Sequence, residues 1–96
     1  MNAFLFVRDR LPQTELLAQL AEEATELAHA ALKLRRAYDG ANPTPVSRSE
    51  ALEAIKEEIA DVELLLACLD LDQFDGDYTR IKQAKLERWA RRLEGK

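Results

Sequence analysis

The chain has 96 residues, 47% of them apolar and 33% charged, which is the composition of one globular domain with a single modest core. Fourteen basic and eighteen acidic side chains leave a net charge of −4, which argues against non-specific binding to a nucleic-acid polymer, since that depends on a basic surface. The apolar runs are too short to span a bilayer, the start has the pattern of no secretory leader, and the lone Cys68 excludes an intrachain disulfide and fits a reducing cytoplasm.

Residues 2–10 read as a short first helix with Phe4, Leu5 and Val7 on its apolar side, interrupted by Pro12. From about residue 14 to residue 38, Leu16, Leu20, Ala24, Leu27, Ala31 and Leu34 recur at spacings of three and four, giving a long amphipathic helix. Asp39 and Gly40 end it, with Gly40 suited to a left-handed cap. Residues 41–46 carry Asn42, Pro43 and Pro45 and form a loop. Ser47 followed by Glu50 is a capping box that opens a third helix. Ile55, Ile59, Val62, Leu66 and Leu69 carry that helix to about residue 71. A turn at 72–76 precedes a last helix over 77–93, where Ile81, Leu86, Trp89 and Leu93 lie among many basic residues. No segment has the alternation of a strand. The expectation is one all-α domain over 1–96, an antiparallel bundle of about four helices completed by oligomerisation.

Two acidic patterns repeat at an offset of 35 residues. Glu22, Glu23 and Glu26 match Glu57, Glu58 and Asp61, and the apolar neighbours Leu20, Ala24 and Leu27 match Ile55, Ile59 and Val62. Each residue turns a helix by about 100°. Glu23 and Glu26 therefore share one border of the second helix's apolar stripe, as Glu58 and Asp61 share that of the third, while Glu22 and Glu57 sit further out. If the helices pack through their stripes, four carboxylates converge at the seam. Such a set suits a hard cation, Mg²⁺, Mn²⁺ or Ca²⁺. Solvated surface is the plain alternative, because Glu-rich helix edges are common. Glu26 and His29 also have the Glu-x-x-His spacing of di-iron bundles, but those need two such motifs and the chain has one histidine.

The last helix supplies Arg80, Lys82, Lys85, Arg88, Arg91 and Arg92, with Lys96 at its end. Lys85 and Arg88 share an edge that suits a phosphate chain; basic residues near a helix C-terminus also serve the macrodipole without any ligand. Neither a Ser-His-Asp or Cys-His nucleophilic arrangement nor a glycine-rich phosphate loop can be assembled from these residues.

Glu22-Glu23-Ala24-Thr25-Glu26-Leu27 and Glu57-Glu58-Ile59-Ala60-Asp61-Val62 together resemble the MazG-like all-α nucleoside triphosphate pyrophosphohydrolases, whose signature is E-x-x-E followed downstream by E-x-x-D. Lys85-Leu86-Glu87-Arg88 resembles the basic stretch that trails it, and the likeness covers roughly residues 13–94. The resemblance implies Mg²⁺, or Mn²⁺, held by Glu23, Glu26, Glu58 and Asp61, with Lys85, Arg88 and Gln83 near the phosphates and Glu22 or Glu57 as general base. It implies hydrolysis of a nucleoside triphosphate to the monophosphate and pyrophosphate, in a homodimer or homotetramer. The stretch between Glu26 and Glu58 is long for that signature. A phosphoribosyl-ATP pyrophosphohydrolase is the related alternative, although the aromatic-histidine pair expected after its Asp is missing here. A non-catalytic helical dimer or regulatory module of the same fold is the alternative of another class.

Overall fold

The structure, a computed structural model, describes residues 1–40 and 46–95. The expected loop falls on residues 41–45 and lies outside the described residues, as does Lys96. Four α-helices make up the described fold, α1 (Ala3–Arg10), α2 (Gln13–Asp39), α3 (Arg48–Cys68) and α4 (Gly76–Glu94). The all-α class read from the sequence is the observed one.

Local chemistry sets most of the helix ends. Asn2 caps α1, its side chain accepting from the Leu5 N–H at 3.0 Å. Pro12 sits just ahead of α2, where its missing N–H removes no helical bond. Gly40 closes α2 with φ 65° and donates its N–H to the Arg36 carbonyl. The Ser47–Glu50 capping box is complete. The Glu50 N–H donates to Ser47 Oγ at 3.1 Å and the Ser47 N–H donates to Glu50 Oε1 at 3.0 Å. Asp75 caps α4 through the Tyr78 N–H at 2.9 Å.

The end of α3 differs from the expectation of residue 71. Asp70 takes the left-handed conformation, φ 60°, and the helix stops at Cys68. The Asp70 N–H then donates to the Ala67 carbonyl and the Leu71 N–H to the Leu66 carbonyl at 2.8 Å. This pair of bonds is a Schellman ending. Apolar periodicity continues through Leu69 and Leu71, but aspartate tolerates the left-handed region, and the periodicity conceals that break.

Helices α2 and α3 form the central pair. They run antiparallel, since Tyr38 near the end of α2 lies beside Arg48 at the start of α3 while Glu23 lies beside Asp61. The Arg48 guanidinium stacks 4.5 Å from the Tyr38 ring centre and donates to the Tyr38 carbonyl at 3.3 Å, which ties the two helix ends together. Leu16 on α2, Ala51 on α3 and Leu69 just beyond it are buried. Helix α1 touches α3, and among the described residues α4 packs on no other helix. The radius of gyration is 17.2 Å, against about 13 Å for a compact domain of this length. No described helix is long and apolar enough to cross a membrane.

Candidate metal centre

The antiparallel pair brings three of the repeated acids together. Glu23 on α2 and Glu58 and Asp61 on α3 each place a carboxylate oxygen within 4.8 Å of the others. The local cause is the register of the two stripes. Glu23 borders the apolar face of α2, and Glu58 and Asp61, one turn apart, border that of α3, so packing the stripes closes the distance. Glu23 and Glu58 are half-buried and Asp61 is exposed.

The proton affinity of Glu23 is held above the ordinary carboxylate value of 4.5. Partial removal from water is the first cause; hydrogen bonding to Glu58 and the negative charges of Asp61 and Glu58 follow. Glu58 Oε2 is shielded from solvent and no hydrogen bond reaches it. A shielded carboxylate oxygen without a donor is costly unless a proton or a cation meets it. The group offers carboxylate oxygens, donors of the hard kind that could hold a cation such as Mg²⁺ or Mn²⁺ rather than a soft metal.

The other expected residues stand elsewhere. Glu26 is exposed, outside the group of three. Glu22 and Glu57 are exposed and, like Glu26, outside the group of three. Lys85, Arg88 and Gln83 lie exposed on α4, and because α4 packs on no other described helix, the chain by itself does not bring them to the carboxylates. Gln83 Nε2 instead donates to Glu87 Oε1 at 3.1 Å along the same helix. His29 is exposed and Cys68 is a half-buried free thiol. Trp89 is 61% exposed within the chain.

Sequence reasoning missed Arg48, whose stack on Tyr38 sets how the two acid-bearing helices meet at their joined ends. No local pattern marks such a pair, because each residue is an ordinary helix-terminal side chain until the helices are folded together.

No family model, curated protein or solved structure matches this chain.

Proposed function

We propose that this protein is a Mg²⁺-dependent nucleoside triphosphate pyrophosphohydrolase of the MazG-like kind, converting a (d)NTP and water to the monophosphate and pyrophosphate. The observation that carries the reading is the Glu23–Glu58–Asp61 group, built from two helices that repeat one acidic pattern.

In this reading Glu23, Glu58 and Asp61 hold the cation, with Glu26 joining at the open side. The cation neutralises phosphate charge and makes water more acidic. Glu22 or Glu57 takes the proton from the attacking water, whose oxygen joins the nucleotide phosphate while the bond to pyrophosphate breaks. Lys85 and Arg88 stabilise the negative charge on the phosphates, and Gln83 donates beside them.

The basic edge belongs to an assembly. A homodimer or homotetramer brings α4 of one copy to the acids of another, and it covers large apolar side chains such as Leu17, Leu32 and Leu64, which are 48%, 51% and 58% exposed in one chain. Cys68, a free thiol, suits a reducing cytoplasm.

The test is a screen of the common ribo- and deoxyribonucleotides with Mg²⁺, with and without EDTA, read as pyrophosphate released. Turnover abolished by EDTA is expected. No turnover in any of them, together with no Mg²⁺ heat by calorimetry, leaves a non-catalytic helical module and ends the enzyme reading.

A further inference from the structure

Helix α2 has two apolar faces, and the fold of one chain uses only the first. Leu16, Leu20, Leu27 and Leu34 are buried or half-buried, with Glu23 half-buried among them. About 130° further around the helix, Leu17, Ala21, Ala24, Ala28 and Leu32 are all exposed, the two leucines by 48% and 51%. Among the described residues α2 packs on α3 and on no other helix, so no described helix covers this second face. The face carries no charge from Thr14 to Leu32, although α2 holds Glu15, Glu22, Glu26 and Lys33 on its other sides. Thr25, at its edge, donates its hydroxyl to the Ala21 carbonyl at 3.0 Å and so brings no unmet donor to it.

The second face mirrors itself. Positions 14, 17, 21, 24, 25, 28, 32 and 35 follow one another by steps of 3, 4, 3, 1, 3, 4 and 3, the same in either direction. Side-chain size is mirrored as well. A second copy of α2, laid antiparallel across a two-fold axis between Ala24 and Thr25, sets Leu17 beside Leu32, Ala21 beside Ala28 and Thr14 beside Arg35, each pair twice. Alanines next to the axis let the two helices approach closely. Crossing helices separate away from that point, and the leucines fill the wider space. No like charges are opposed, and the one charge in the seam, Arg35, already lies 3.8 Å from Asp39. A contact between identical surfaces requires this self-complementarity, whereas a foreign partner places no such demand on the face.

We propose that two copies of this chain join through the second face of α2, antiparallel, along the Leu17–Leu32 and Ala21–Ala28 layers. This names the contact behind the assembly described under the proposed function. It rests on that assembly and not on the hydrolysis. Glu23 lies about 150° around α2 from the centre of the seam, so the acid groups of both copies stay uncovered, and the seam uses no residue of α4.

Cross-linking tests the register. In a Cys68→Ser background, chains carrying Ala21→Cys mixed with chains carrying Ala28→Cys are expected to give a covalent dimer on mild oxidation. Neither chain alone does so, because position 21 and its own copy are offset by roughly 10 Å along the helix, too far for a disulfide. A covalent dimer from Ala21→Cys alone reports a parallel seam and overturns the proposal, as does a mixture that fails to cross-link. Leu17→Glu tests the face itself in an otherwise unaltered chain. Its dimer dissociation constant by sedimentation is expected to rise about 10²-fold or more with helical circular dichroism unchanged, since the two-fold axis puts each charge into the apolar seam twice. A parent that sediments as a monomer at micromolar concentration, or a Leu17→Glu dimer of parental strength, overturns the proposal. Should Leu17→Glu lose helicity, the cross-link decides by itself. A dimer of this register without nucleotide turnover keeps the seam and ends the enzyme reading, whereas turnover by a monomer ends the seam and keeps the hydrolysis.

Discussion

Glu23 and Asp61 lie on different helices, yet their carboxylate oxygens come within 4.8 Å, with Glu58 in the same group. Like charges at this range raise the energy of the fold that holds them. A fold that keeps such a group together gains when a cation enters it, and that coupling makes the site testable without any substrate.

Glu58→Gln removes the carboxylate whose Oε2 is shielded and unbonded. Turnover is expected to fall by about 10²-fold or more, the scale of losing a group that acts in the chemistry, with the helical circular dichroism unchanged. Full activity in this variant sinks the site assignment, while lost helicity points to a structural role.

Glu23 gives a pH dependence of definite sign. Its folded proton affinity is raised above the ordinary 4.5, so ionising it disfavours the folded state. Below 4.5 the group is protonated folded or unfolded and contributes nothing. As pH rises through 4.5 and past the raised folded value, the metal-free protein loses stability from this group. Glu50 acts oppositely. The Ser47 backbone and side chain hold it below 4.5, so its contribution is present above 4.5 and is lost as pH falls through its lowered folded value. Melting temperature against pH for the metal-free protein and for Glu23→Gln isolates the first effect. The difference between them, variant minus parent, is expected to grow with pH and to shrink when Mg²⁺ is added. A difference flat with pH contradicts the crowded group.

Ser47→Ala opens the capping box at the start of α3, where the Glu50 N–H loses its acceptor. The expected loss is about 1 kcal/mol of unfolding free energy in urea, the usual scale for a helix cap, with Mg²⁺ affinity unchanged. A large change in Mg²⁺ affinity places the cap in the site itself.

Asp70 holds a left-handed backbone that a β-branched residue resists. Asp70→Val is expected to lower stability by roughly 1–2 kcal/mol, the cost of forcing a side chain into that region. Asp70→Gly should stay close to the parent, since glycine takes the conformation freely but loses the bond from Gln73. Equal stability of the two variants means that this turn is not left-handed in solution.

Lys85→Ala and Arg88→Ala separate substrate contact from metal binding. In the proposed hydrolase each raises KM for the nucleotide by about tenfold or more while Mg²⁺ affinity in the absence of nucleotide stays the same. Unchanged KM in both removes α4 from the phosphate site.

The sequence by itself determined the helices, because capping and periodicity act over a few residues. Asn2, Gly40, the Ser47–Glu50 box and the stripe from Leu16 to Leu34 need no distant partner to do their work. It also singled out Glu23, Glu58 and Asp61, since border positions on two matched stripes meet whenever the stripes pack. Tertiary structure decided the rest. It left Glu26 outside the group, because three residues on from Glu23 the helix has turned about 300° rather than a full circle, and Glu26 stands exposed, further around from the seam. It ended α3 at Asp70 against the apolar pattern, and it joined Tyr38 to Arg48. It also left Lys85 and Arg88 away from the acids, because α4 is tied to the central pair by a short connection alone. Periodicity tells which side of a helix is apolar; only packing tells what that side meets.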